Sequence, residues 1–161
     1  MNVSFILNGE DVEVETPGDN RLAGILRLSF GLLGTKTDCC IGNCGVCSVL
    51  LNGEVVKSCL VPAFMIQGSE VITIEGFSQT DEYQDIVTGF SEAGMEICRS
   101  CNTGKILAAE ALLSRNMRPS REKILSAFQG VKCRCMEPEE LIQGLMKVSE
   151  LRRRRLYVRS R

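Results

Sequence analysis

The stretch that decides the fold is Cys39-Cys40-Ile41-Gly42-Asn43-Cys44-Gly45-Val46-Cys47, and Cys59 follows 12 positions after Cys47. Counted from Cys39, the spacing is C-x4-C-x2-C, so three thiols come from one short loop. Gly42 and Gly45 allow such a loop to turn tightly and to direct its backbone N–H groups toward sulfur atoms. The loop therefore requires a scaffold that returns Cys59 to it.

Four of these cysteines have the spacing of the ligands of a plant-type 2Fe-2S cluster. A buried cluster of unligated cysteines and an all-cysteine zinc site are the alternatives. Zinc loops usually contain two C-x2-C pairs, whereas here only Cys44 and Cys47 have that spacing. The spacing favours iron and sulfur over zinc and leaves Cys40 as a spare thiol. The candidate ligands are Cys39, Cys44, Cys47 and Cys59.

A second group of cysteines lies in the C-terminal half, as a C-x-x-C pair followed 32 positions later by a C-x-C pair. Each pair precedes a predicted helix, whose positive N-terminal end stabilises thiolates and offsets the negative charge of a thiolate-ligated cluster. The pattern indicates a second metal site, with a C-x-x-C redox motif as the alternative. The candidate ligands are Cys98, Cys101, Cys133 and Cys135. Arg134 is a candidate hydrogen-bond donor to the cluster or a partner, or else an exposed loop charge.

The composition excludes many other chemistries. The 161 residues include nine cysteines and no histidine, which excludes mixed Cys/His zinc sites, His-ligated haem, Rieske centres and Cys-His or Ser-His catalytic pairs. A net charge of −1 gives no overall positive field for nucleic acid. No signal peptide or membrane span is evident. We expect a soluble, cytoplasmic protein with no nucleic-acid or membrane partner, whose thiols bind metal rather than form disulfides.

The first half of the chain has the pattern of strands and hairpins, and the composition changes between Gly76 and Thr80. Asn8-Gly9 and Asn52-Gly53 are typical of tight hairpin turns. One amphipathic helix follows Asp19 and Asn20, either of which can cap it. The predicted strands are 3–7, 12–16, 48–51, 54–56 and 71–74, and the predicted helix is 21–30. This pattern indicates a small mixed sheet packed on one helix.

The second half has a helical period. Apolar residues recur at helical spacing in four segments joined by short connections, a pattern typical of a small bundle. The predicted helices are 81–93, 103–113, 121–128 and 139–148. The run Arg152–Arg155 that follows is interpreted as a solvated, flexible extension, with docking on an acidic partner as the alternative.

Together, the two cysteine groups resemble the small iron–sulfur subunit of the xanthine dehydrogenase, or molybdenum hydroxylase, family, which includes enzymes that oxidise carbon monoxide, nicotinate and aldehydes. The resemblance covers residues 3–148. Its motifs are Lys36-Thr37-Asp38-Cys39, Cys44-Gly45-Val46-Cys47, Ser58-Cys59-Leu60, Cys98-x-x-Cys101, Gly104, Ala111-Leu112-Leu113, Gly130 and Cys133-Arg134-Cys135.

The resemblance implies an α+β fold with two domains, each holding one 2Fe-2S cluster. Residues 1–77 would form a β-grasp ferredoxin-like domain, residues 78–150 a four-helix bundle domain, and residues 151–161 a basic tail. It also implies an electron-transfer subunit that relays single electrons between a molybdenum-cofactor subunit and an FAD subunit. The cluster of the helical domain would lie beside the molybdopterin and that of the β-grasp domain toward the flavin. No residue of this chain would act on substrate.

The chain departs from the family pattern mainly where the pterin would dock. The usual Gln-Cys-Gly-x-Cys becomes Ile97-Cys98-Arg99-Ser100-Cys101, and Met136-Glu137-Pro138 replaces Thr-Gly-Tyr. At the first group only Asp38 replaces a glycine. We therefore hypothesise a divergent branch whose cofactor-side partner is altered. A regulatory iron–sulfur redox protein and a structural zinc protein are the other function classes.

Overall fold

The structure, a computed structural model, describes residues 1–96, 98–133 and 135–160. Ile97, Arg134 and Arg161, on which three of the expectations above fall, lie outside the described residues. The first half contains a five-stranded mixed sheet with the order β2-β1-β5-β3-β4. Its strands are β1 (Asn2–Leu7), β2 (Glu10–Glu15), β3 (Ser48–Leu51), β4 (Glu54–Lys57) and β5 (Glu70–Ile72). The α+β prediction is confirmed at this level.

Both predicted hairpins are confirmed, and their turns explain the register. Asn8 and Gly9 have φ of +52° and +87°, and Asn52 and Gly53 have +51° and +80°. Two successive positive φ values define the turn whose twist matches that of the flanking strands. The hairpins accordingly pair β1 with β2 and β3 with β4 in antiparallel register, while β5 lies parallel to β1.

One helix, α1 (Leu22–Leu28), covers one face of the sheet. Alternate residues of β1 point inward, as the period of a half-buried strand requires. Neither Asp19 nor Asn20 caps α1, because Arg21 occupies the N-cap position without a side-chain hydrogen bond and the Asn20 amide donates to Thr16 Oγ1 at 3.0 Å. The core between sheet and helix includes Val3, Phe5, Leu7, Leu22, Ile25, Leu26 and Val71.

In the part of the chain that the structure describes, five helices follow β5: α2 (Ile74–Phe77), α3 (Asp81–Glu92), α4 (Asn102–Leu113), α5 (Arg121–Phe128) and α6 (Pro138–Arg159). Only α2 was not predicted. Thr80 and Ser120 cap α3 and α5 through their side-chain oxygens, and Glu137 and Glu140 form a capping box at α6. Helix α4 is apolar on nearly all sides because it packs against α3, α5 and β3 at once. The sheet and the helices therefore share one boundary along β3 and α4.

The interpretation of Arg152–Arg155 as a flexible, solvated extension is wrong. Helix α6 continues to Arg159. Arg152 is only 3% exposed and forms ion pairs with Asp85 and Glu110. Arg155 forms hydrogen bonds with Glu82 and Asp85. Ion pairs with acidic side chains of α3 and α4 thus stabilise the last helix beyond the residues that its apolar pattern predicts.

Within the described ranges, no helix is both long enough and apolar enough to span a membrane.

Candidate metal centres

The first cysteine group is assembled by the loop between α1 and β3 and by the end of the second hairpin. Cys47 directly precedes β3, and Cys59 lies in the short 3-10 turn Ser58–Leu60 that follows β4 rather than in the strand itself. Antiparallel pairing of Ser48 with Lys57 places the two cysteines side by side. The Ser58 hydroxyl and N–H both donate to the Cys47 carbonyl, at 2.7 and 3.2 Å. The hairpin therefore returns the fourth cysteine to the loop.

The loop directs backbone N–H groups at sulfur, as expected from its glycines. The N–H groups of Asn43 and Cys44 each donate to Cys39 Sγ at 3.3 Å. Gly42 and Gly45 have φ of +74° and +82°, which a side chain would disfavour. Backbone donation from Ile41 and Cys44 lowers the pKa of the Cys39 thiol to about 6. The loop thus stabilises negative charge on sulfur, which a metal-bound thiolate carries.

The four thiols of the first group occur as two contacting pairs. The Cys39 side chain contacts that of Cys44, and the Cys59 side chain contacts that of Cys47. Burial, reinforced by Cys47, raises the pKa of Cys59 to about 11, and binding of a metal ion favours the deprotonated form of such a thiol. Cys40 is exposed, has φ of +53° and stays outside both pairs.

The second group lies at the start of α4 and before α6. Cys101 is the N-cap residue of α4, and its sulfur lies 3.6 Å from that of Cys98. Cys133 contacts Cys101, and Cys135 contacts Cys98. The C-x-x-C and C-x-C pairs, which are distant in sequence, are therefore brought together as predicted.

The electrostatics of the second group repeat those of the first. Backbone N–H groups of Cys101 and Ser100 lower the pKa of the Cys98 thiol to about 6. Burial raises the pKa of the Cys101 thiol to about 11. Each group therefore combines one readily ionised thiol with one buried thiol.

Lys105 is a residue of this site that the sequence interpretation missed. It lies in the first turn of α4, is buried, and has the sulfurs of Cys101 and Cys133 as its electrostatic neighbours. Burial lowers its pKa, but the neighbouring sulfurs outweigh burial and the net pKa is raised. Its signal in the sequence is its position: Lys105 lies four positions after Cys101 and directly before the apolar run Ile106-Leu107-Ala108-Ala109.

The arrangement of thiols fits 2Fe-2S clusters. Among the residues that the structure describes, no three Cys, Asp or Glu side chains converge as ligands of a single metal ion. A 2Fe-2S cluster instead contains two irons and is bound by four thiolates in total. Sets of four thiols that include contacting pairs match that need, and the backbone N–H groups supply hydrogen bonds to sulfur.

The two groups are in direct contact through their backbones. The N–H of Lys132, the residue before Cys133, donates to the Cys44 carbonyl at 3.1 Å. A Cβ added to Gly104 of α4 would lie only 2.6 Å from the Gly45 carbonyl oxygen. The Lys36 ammonium also donates to the carbonyl of Arg99, between Cys98 and Cys101. The first loop therefore rests on the start of α4 and on the segment that leads to Cys133.

Two family models match the chain, one over each cysteine group. Residues 5–73 match the family described as 2Fe-2S iron-sulfur cluster binding domain, and residues 73–146 match the 2Fe-2S binding domain. The chain is 38% identical to the nicotinate dehydrogenase small FeS subunit of Eubacterium barkeri, over 84% of this chain and 86% of that protein. It is 30% identical to the xanthine dehydrogenase iron-sulfur-binding subunit of Escherichia coli, over 91% and 92%.

A solved structure extends the likeness to three dimensions. Quinoline 2-oxidoreductase from Pseudomonas putida 86 contains a chain that matches with a TM-score of 0.84 and 32% identity, over 96% of both chains. Together with the sequence relatives, this shows that the protein is part of an oxidoreductase complex with catalytic subunits. The chain belongs to the small iron–sulfur subunits of the xanthine dehydrogenase, or molybdenum hydroxylase, family, which carry two 2Fe-2S clusters.

Proposed function

We propose that this chain relays single electrons from a molybdenum-cofactor subunit to an FAD subunit through two 2Fe-2S clusters. The first cluster would be held by Cys39, Cys44, Cys47 and Cys59. The second would be held by Cys98, Cys101, Cys133 and Cys135. When bound, the clusters supply the one-electron chemistry, and the chain supplies ligands, hydrogen bonds and fixed spacing.

The observation that carries this proposal is the backbone contact between the two cysteine groups. Lys132 is covalently joined to Cys133, and its N–H donates to the carbonyl of Cys44 at 3.1 Å. A continuous path of covalent bonds with a single hydrogen bond therefore connects a sulfur of one group with a sulfur of the other. Such a connection serves electron transfer and is not needed by two independent structural metal sites.

The proposed order of partners follows the family resemblance, and each group has an exposed residue that is accessible to a partner. Cys135, of the second group, is exposed, and Ile41, in the first loop, is 71% exposed. We place the molybdenum subunit beside the second group and the FAD subunit beside the first. We also propose residues 1–77 as a β-grasp domain and residues 78–150 as a four-helix bundle, extended by α6 to Arg159. A cytoplasmic location is part of the proposal, supported by nine free cysteines.

The segment after Cys135 supports a divergent contact with the pterin. Pro138 is the first residue of α6, and Glu137 is committed to the capping box with Glu140. Pro138 has no backbone N–H, and the N–H of Glu137 already donates to Glu140 Oε2, so neither residue has an N–H available for a cofactor. We propose that the partner's cofactor is held differently here from the usual family pattern. Arg134 remains a candidate hydrogen-bond donor on this side.

The test uses the complex purified through a tag on this chain. We expect molybdenum, FAD and about four irons per copy of the chain. Because relatives are named for nicotinate, xanthine and quinoline, these compounds are offered as electron donors without oxygen, and reduction of each cluster is followed by low-temperature electron paramagnetic resonance.

In Cys101→Ser, a donor that reduces the first cluster of the wild type should no longer reduce it, so that cluster stays oxidised. Dithionite should still reduce it. Cys47→Ser should leave the second cluster reducible by the same donor. Cys40→Ser is the matched control and should change neither signal. Normal reduction of the first cluster by that donor in Cys101→Ser would contradict the relay.

A further inference from the structure

Lys105 places a positive charge in the interior of the protein. The residue is 1% exposed, and its Nζ atom has no hydrogen-bond partner that meets ordinary geometry among the described residues. An unpaired ammonium group in an apolar interior is strongly unfavourable. A buried lysine at this position therefore requires a negative partner.

The surroundings of Lys105 offer few candidates for that partner. The side chain lines a cavity of about 170 Å³ between α4, α5 and the start of α6. Gln129 and Glu137 also line this cavity, but both are exposed, and Glu137 is engaged in the capping box of α6. Apart from Cys133, the other lining residues are apolar.

The buried acids of the helical half are paired elsewhere. Asp85 and Glu110 both form ion pairs with Arg152. The groups beside the Lys105 ammonium that can carry negative charge are therefore the sulfurs of Cys101 and Cys133, which do so as metal-bound thiolates.

We propose that Lys105 is a positioning residue of the second cluster, whose buried ammonium acts through the sulfurs of Cys101 and Cys133 to make that cluster easier to reduce. Reduction adds one electron, and neither forms nor breaks a bond, so the cluster and its ligands gain one negative charge. A fixed positive charge in a low-dielectric interior stabilises the reduced form more than the oxidised form. This inference rests on the proposed function, because it assumes a second cluster bound by these thiols.

Lys57 provides a matched control at the first group. Its ammonium donates to Ser48 Oγ at 3.3 Å and lies among the four cysteines of the first group. It is less buried than Lys105, so water screens its charge more strongly. Replacement of either lysine by methionine removes the charge and keeps an unbranched side chain of similar length.

The experiment measures the midpoint potential of each cluster in the full-length protein by redox titration followed by electron paramagnetic resonance. Lys105→Met should move the potential of the second cluster to a more negative value and leave that of the first unchanged. Lys57→Met should leave the second unchanged. Lys105→Arg, which keeps the charge, should shift the potential of the second cluster much less than Lys105→Met does. The readout needs no substrate or partner subunit.

The proposal would be overturned by an unchanged potential of the second cluster in Lys105→Met, or by an equal shift in Lys105→Met and Lys105→Arg. If Lys105→Met loses the iron of the second cluster while Lys105→Arg retains it, the requirement for charge is supported. Loss in both variants would instead assign Lys105 to packing and contradict the proposal. Absence of the second cluster from the wild type would contradict the proposed function itself, so the two failures are distinguishable.

Discussion

The N–H of Lys132 donates a hydrogen bond of 3.1 Å to the carbonyl oxygen of Cys44. These residues belong to different halves of the chain. Cys44 is a candidate ligand of the first cluster, and Lys132 directly precedes Cys133, a candidate ligand of the second. Gly45 follows Cys44 and contacts Gly104 closely. The spacing between the two thiol groups is therefore set by backbone contacts, which tolerate little displacement.

Gly104→Ala should disturb this contact. The new Cβ would lie 2.6 Å from the Gly45 carbonyl oxygen and 3.2 Å from Val131 Cγ1, so the loop must move. Overpacking of this kind costs about 1–3 kcal/mol, which lowers the thermal midpoint of a protein of this size by roughly 5 °C. The midpoint is measured by circular dichroism of the cluster-loaded protein, at one scan rate.

Gly24→Ala in α1 is the control for Gly104→Ala, because the nearest atom to its added Cβ is 3.7 Å away. The thermal midpoint of this variant should stay the same or rise. A Gly104→Ala protein as stable as Gly24→Ala would show that the loop is free to move away from α4.

Adjacent cysteines in the first loop should behave differently. Cys39→Ser removes a thiol that receives two N–H donors at 3.3 Å, so iron should fall from about four to about two per chain. Cys40→Ser changes an exposed thiol outside both pairs and should keep all the iron. Iron assay and visible absorption report both outcomes, and the assignment fails if Cys40→Ser is the variant that loses iron.

Arg152→Met should destabilise the helical half. It leaves Glu110, whose side chain is 13% exposed, without its buried cation, whereas Asp85 keeps its ion pair with Arg155. Loss of one partner of a buried ion pair costs about 3–5 kcal/mol, or roughly 10 °C in the thermal midpoint.

Arg154→Met is the comparison for Arg152→Met. Arg154 pairs with Glu150 on the same helix and is 70% exposed, so its loss should cost about 0.5 kcal/mol or less. Equal midpoints for the two variants would show that α6 does not depend on the buried pair.

The predictable parts of the fold were those with local causes. The Asn8-Gly9 and Asn52-Gly53 turns determine both hairpins through their own backbone preferences. The cysteine spacing likewise predicts the first ligand loop and the start of α4, because the ligands that one loop contributes lie only a few residues apart in sequence.

The features that escaped prediction depend on partners distant in sequence. The apolar period of α6 ends near Val148, and the helix continues because Arg152 and Arg155 pair with acids of α3 and α4. The burial of Lys105 also depends on the sulfur of Cys133, which no local pattern reveals.

The central claim is that one chain holds two 2Fe-2S clusters, and iron and acid-labile sulfide content with low-temperature electron paramagnetic resonance test it most directly. Protein produced with full cluster-assembly capacity should contain about four irons and four sulfides per chain. After reduction it should give two distinct signals, one lost in Cys47→Ser and the other in Cys101→Ser. About two irons per chain and a single signal, lost in only one of these variants, would contradict the account.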